Sequence, residues 1–126
     1  MHLDTHVVVW LYAGDADVFP PSVQHLLDTA ALSVSPMVAL ELTHLHEIGR
    51  TSAPSDVVLT ELRRSIGLTI SEAPFPSVVE TATALIWTRD PFDRLISAQA
   101  VVEGEMLLTK DRRIREHLEL ARWDAG

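Results

Sequence analysis

Four carboxylates in this 126-residue chain stand where a folded domain would bury apolar side chains or end a strand. Glu41 lies in "VALELTHL", residues 38–45, a stretch with helical spacing of its apolar residues. At about 100° per residue, Met37, Val38, His44, Leu45 and Ile48 fall within about 60° of it, and Ala39, Thr43, His46 and Arg50 take the far side. Asp93, in "DPFDRLISAQAVVEG", shares its face with Ile96, Ser97, Ala100 and Gly104. Leu95, Ala98 and Val102 cover the other side, which predicts a helix buried on both faces. Asp4 and Asp111 follow the short apolar runs "HL" and "MLLT". A carboxylate taken out of water alone is costly, so it is neutralised, paired or bound to a cation.

Each acid taken singly has a structural explanation. Asp4 and Asp111 can cap the helices that follow them, and Glu41 or Asp93 can pair with a buried Arg. The set is harder to explain in that way. Like charges about 5 Å apart repel by roughly 3 kcal/mol per pair at an effective dielectric of about 20, so four together would protonate or push the fold open. A hard divalent cation removes the conflict, and an all-oxygen donor set suits Mg²⁺, with Mn²⁺ as a substitute. Asp90 has a simpler role as helix N-cap, with a secondary part in the site as the alternative.

The elements that must position these acids alternate along the chain. Short strands are predicted at "HLDT", "LSVS", "LTIS" and "MLLT", with "ARWDAG" as an edge strand or tail. Helices are predicted at "HVVVWLYAG", "PPSVQHLLDTA", the segment from Pro36 capped by Ser35, "SAPSDVVLTELRRSIG", "FPSVVETATALIW", "DPFDRLISAQAVVEG" and "KDRRIREHLEL". This pattern predicts one α/β domain over residues 1–126, a short parallel sheet flanked by helices. Ligands in such sheets sit outside the carboxyl ends of the strands, so Asp4 and Asp111 converge if their strands are neighbours.

Composition sets the outer bounds. No run approaches the roughly 18 apolar residues of a membrane span, and "MHLDTHVVVW" lacks the basic start of a signal peptide. There is no cysteine, which removes thiolate metal sites and fits a cytoplasmic location. The net charge of −8 argues against a nucleic-acid partner, but its distribution is uneven. Residues 1–62 hold eight acids and one base, Arg50, whereas residues 63–126 hold ten acids and nine bases. Such a chain can present a basic rim beside an acidic site, with ordinary surface charge as the plainer explanation.

Four stretches together, "LDTHVVVW", "SPMVALEL", "RDPFDRLISAQA" and "LLTKDRRI", resemble the PIN-domain ribonucleases, and most closely the VapC-type toxins of toxin–antitoxin pairs. The resemblance spans nearly the whole chain and implies a three-layer PIN-like fold. By it, Asp4, Glu41, Asp93 and Asp111 match the acidic catalytic and metal positions, Asp90 a commonly acidic neighbour, and Thr5 and Thr109 flanking hydroxyls. It implies an Mg²⁺-dependent endoribonuclease, the toxin of a type II system. Implied partners are RNA (tRNA or other structured or single-stranded RNA), a cognate VapB-type antitoxin and a second copy in a homodimer, with no membrane. Lys110, Arg112 and Arg113 flank Asp111 and are candidate RNA phosphate contacts. The sequence departs from the pattern at "WTRD", where a His often precedes the Arg, which leaves Thr88 without an assigned substrate role.

Other constellations carry less. Glu41-x-x-His44 has di-iron spacing but lacks the second Glu-x-x-His pair and the long helices such sites need. His2 and His6 are separated by a strand end. His46 is expected in solvent and His44 packed at a helix boundary. There is no G-x-S-x-G, P-loop or dinucleotide glycine pattern. Two alternatives to the nuclease are a catalytically silent PIN-like binding module and an Mg²⁺-binding receiver-like signalling domain.

Overall fold

Two-residue strands make only a few ladder bonds, so the helices that follow them fix where each strand end points. The computed structural model describes residues 1–124. In chain order it contains β1 (His2–Leu3), α1 (Thr5–Ala13), a 3₁₀ turn (Ala16–Val18), α2 (Pro21–Thr29), β2 (Ser33–Val34) and α3 (Pro36–Glu47). There follow α4 (Ser55–Ile66), β3 (Thr69–Ile70), α5 (Phe75–Thr83), α6 (Pro91–Glu103), β4 (Leu107–Leu108), α7 (Arg112–His117) and β5 (Ala121–Arg122). The predicted tail is therefore an edge strand at its start, and Ala125 and Gly126 lie outside the described residues.

The five strands run in the order β3-β2-β1-β4-β5, and every neighbouring pair is parallel. Parallel neighbours need crossovers, and the helices supply them. The chain builds outward from β1 to β2 and β3, then returns to add β4 and β5 on the other side. Between β1 and β4 the order reverses, and in open α/β sheets that is where a crevice opens at the carboxyl edge. A receiver-type sheet sets its first strand beside its third. Here β1 lies between β2 and β4, which overturns the signalling-domain alternative.

The main core gathers Leu3, Val34, Leu107 and Leu108 from the strands with Val7, Val8, Val38, Leu42, Ile96, Ala100 and Ile114 from the helices. A smaller cluster of Val78, Ala82 and Ala98 joins α5 to the outer side of α6. Helix α6 is thus buried on both faces, as its composition predicts. It opens on Asp90, whose Oδ1 accepts from the N–H groups of Phe92 at 2.8 Å and Asp93 at 3.1 Å. It stops at Gly104, whose φ of 64° other residues adopt only with strain. No helix among the described residues is long and apolar enough to cross a membrane.

Several expectations are corrected. The α5 helix ends at Thr83 instead of reaching Trp87, because the Arg94 guanidinium donates to Ala82 O at 3.0 and 3.1 Å and to Thr83 O at 3.1 Å. That side chain from α6 takes carbonyls a further turn would have used. Helix α7 ends at His117, after which the Ala121 N–H closes on Leu118 O at 3.0 Å and the chain turns into β5. Helix α3 is rotated from expectation: its buried residues are Val38 and Leu42, while Leu40 and Ile48 are 54% and 53% exposed. Glu41 therefore rides the border of the buried stripe, about 80° from its centre. The two histidines differ from expectation too. His44 is exposed, with its ring 6.1 Å from that of Phe92, whereas His46 is half-buried with Nδ1 3.0 Å from Thr51 O.

Candidate active site

Asp4 leaves β1 as the N-cap of α1, and Asp111 leaves the end of β4 as the N-cap of α7, so the two face each other across the reversal of strand order. The Asp4 N–H donates to Leu108 O at 3.0 Å and holds the strand ends level. Thr109, fully buried, ties the two acids directly. Its Oγ1 donates to Asp4 Oδ2 at 2.6 Å and accepts from the Asp111 N–H at 3.0 Å. Asp4 Oδ1 accepts from the Thr5 N–H at 2.8 Å, and Asp111 Oδ1 from the Ile114 N–H at 3.0 Å. Asp93 enters from the first turn of α6, and Glu41 from the second turn of α3.

The electrostatics show that these side chains share one volume. Burial pushes the Asp4 carboxyl up; the Thr109 hydroxyl, the Thr5 N–H and His6 pull it down, and Asp111 adds an upward push. Burial also raises Glu41, against the Thr5 hydroxyl and His6, with Asp4 and Asp90 repelling. Asp93 is pushed up to about 7, first by burial and then by Asp90, Asp4, Asp111 and Glu41 in that order. Asp93 is thus raised by each of Asp90, Asp4, Asp111 and Glu41, which places it facing the rest of the cluster.

This cluster has an excess of acceptors. Among the described residues, none of Asp4, Glu41, Asp93 and Asp111 forms an ion pair with Arg or Lys. The buried Thr5 Oγ1 has no hydrogen bond of full geometry, although it stands close enough to Glu41 to lower its carboxyl, and Ser97 Oγ one turn beyond Asp93 is equally unpartnered. The donors are all oxygens, which suits a hard divalent cation. No three of these acids bring carboxylate oxygens within 4.8 Å of one another among the described residues.

The model of the PIN domain family matches residues 1–119. The chain belongs to the PIN-domain family. This PIN domain is 36% identical over 122 residues to Ribonuclease VapC22 of Mycobacterium tuberculosis, covering 91% of this chain and 89% of the relative. Among solved structures, it resembles the crystal structure of VapBC2 from Rickettsia felis bound to a DNA fragment from their promoter. The TM-score is 0.69 over 98% of both chains at 21% identity, a likeness of fold.

The residues expected at the site fall into two groups. Asp4, Glu41, Asp90, Asp93 and Asp111 are brought into electrostatic contact, with Thr5 and Thr109 among them. The three flanking cations are dispersed. Lys110 Nζ lies 5.9 Å from the ring centroids of both Trp10 and Trp123, and Arg112 pairs with Glu116 at 2.8 Å. Arg113 is exposed, with no ion pair among the described residues. Thr88 is buried and accepts from the Asp90 N–H at 3.2 Å, so it supports the start of α6. Sequence reasoning missed His6, exposed in the first turn of α1, which lowers both Asp4 and Glu41. Its position two residues after Asp4 was the available signal.

Proposed function

We propose that this PIN domain, residues 1–126, is a VapC-type endoribonuclease dependent on Mg²⁺ or Mn²⁺, the toxin of a type II pair. The observation that carries this reading is the convergence on Asp93, whose carboxyl is raised to about 7 by burial and by its acidic neighbours. An acidic cluster at a sheet's switch point, without basic partners, is arranged to hold a cation against a phosphate. The chain's likeness to a ribonuclease and to a VapBC complex supports RNA as substrate and a VapB-type antitoxin as partner. Homodimer formation and a cytoplasmic location belong to the same reading.

Asp4, Asp93 and Asp111 would hold the ion. When bound, Mg²⁺ lowers the pKa of a water and offsets charge on the scissile phosphate and leaving oxygen. Glu41, at the border of its helix face, orients the attacking water and accepts its proton. Thr109 holds Asp4 Oδ2 in place, Thr5 steadies Glu41, and Asp90 maintains the negative potential that favours the cation. Arg113 is the flanking cation best placed to meet an RNA phosphate, since Lys110 lies over two Trp rings and Arg112 is paired.

The test is cleavage of total RNA and of tRNA by wild type, Asp4→Asn and Asp93→Asn, each with Mg²⁺ and with EDTA. Cleavage is expected only from wild type with Mg²⁺. Equal activity in all arms removes the metal mechanism, and Mn²⁺ binding without any cleavage favours the silent binding module.

A further inference from the structure

At the opposite end of β1 from the acidic cluster lies another group of potential ligands. One donor atom each from His2, Glu103 and Glu105 lies within 4.8 Å of the other two. His2 Nε2 contacts Glu103 Oε2 and stands 3.6 Å from Glu105 Oε2. We propose that these three side chains form a second cation site, one that takes a divalent transition metal such as Zn²⁺. The proposal does not depend on the nuclease reading.

The site is built in two layers. The three inner atoms face one another, while the outer oxygen of each carboxylate is held from behind. Glu103 Oε1 accepts from Ser71 Oγ, which itself accepts from Gln99 Nε2 at 2.8 Å. Glu105 Oε1 accepts from the Met1 ammonium at 3.0 Å. Supporting bonds of this kind orient metal ligands. The His2 ring is fully buried and its Nδ1 has no partner, so without an ion Nε2 carries the proton it donates to Glu103, and a bound cation would take that proton's place. A cavity of about 440 Å³, lined by Glu103, Glu105, Ser71, Thr69, Ser33 and Leu32, gives an ion a way in and room for water ligands. One imidazole nitrogen with two carboxylates suits Zn²⁺ and its neighbours, where the all-oxygen cluster suits Mg²⁺.

The two sites are separate. His2 and Asp4 are about 7 Å apart along the strand direction, and Glu103 lies about 15 Å along α6 from Asp93. An ion here would join the start of β1 to the end of α6, the elements whose opposite ends carry Asp4 and Asp93. The competing arrangement is a plain ion cluster, with a protonated His2 and the Met1 ammonium balancing Glu103 and Glu105.

Calorimetry with Zn²⁺ and visible absorption with Co²⁺ decide between them, using untagged full-length wild type, His2→Gln, Glu105→Gln and Asp93→Asn. With excess Mg²⁺ present to fill the acidic cluster, wild type and Asp93→Asn are expected to bind one Zn²⁺ alike and to give the same Co²⁺ band. Glu105→Gln should weaken Zn²⁺ at least about tenfold, and His2→Gln should abolish the band. Should His2→Gln fail to fold, Glu105→Gln decides, because that side chain is 42% exposed. Three results overturn the proposal. One is unchanged binding in both triad variants, which means adventitious histidine binding. Another is loss of the band in Asp93→Asn, which places the ion among the acids. The last is no Zn²⁺ uptake by wild type, which leaves the plain ion cluster.

Discussion

Asp93→Asn removes the charge most crowded by its neighbours, so its effects on activity and on stability run in opposite directions. In the unfolded chain this carboxyl titrates at its ordinary 3.8, and in the fold it is pushed up to about 7. Between those values the folded state keeps a proton that the unfolded state has released. Stability therefore falls as pH rises through that window: none is lost below 3.8, and the loss is complete above about 7. At about 1.4 kcal/mol per unit the shift converts to roughly 4 kcal/mol, and the partial solvent access of Asp93 reduces it to about 2 kcal/mol. For a domain of this size that is about 8 °C in Tm. Scanning calorimetry in EDTA at pH 8 should find Asp93→Asn melting about 8 °C above wild type, with the gap narrowing at least about twofold by pH 5. Saturating Mg²⁺ should raise the Tm of wild type and leave the variant unmoved. The reasoning fails if the variant melts at or below wild type at pH 8 in EDTA, or if the gap is the same at both pH values.

Thr109→Val removes the donor to Asp4 Oδ2 and the acceptor for the Asp111 N–H. It should cost about 1–3 kcal/mol in urea denaturation. Because that hydrogen bond lowers the Asp4 carboxyl, its loss raises the Asp4 pKa further, and the acid limb of the pH–rate profile should move to higher pH. Arg113→Ala should weaken RNA binding and reduce the log–log salt slope by about one, read by fluorescence anisotropy. An unchanged slope returns Arg113 to ordinary surface charge.

Much of the fold was legible because its signals are local. Ser35 and Asp90 cap their helices as their side chains predict, and Gly67 and Gly104 stop theirs in the left-handed conformation. Asp4 and Asp111 were recognisable because each stands within three residues of a strand's carboxyl end, though only the pairing of β1 with β4 makes them neighbours. What was lost depends on contacts distant in sequence. The end of α5 is set by Arg94, eleven residues or more beyond the carbonyls it caps. The rotation of α3 also escaped, since helical spacing says which residues share a face but not where the buried centre falls. The cationic rim was the least readable part, because the places of Lys110 and Arg112 follow from Trp10, Trp123 and Glu116 and not from adjacency to Asp111.

Asp4, Asp90 and Asp111 each begin a helix, whereas Glu41 and Asp93 begin none. Descent can therefore silence this protein cheaply at some positions and dearly at others. A copy drifting out of use sheds Glu41 or Asp93 without loosening its scaffold. At 4, 90 and 111 it must pass through Asn, Ser or Thr, which still accept a backbone N–H, or forfeit about 1 kcal/mol at each helix start. Retired members of the lineage should thus be recognisable by which acid vanished first.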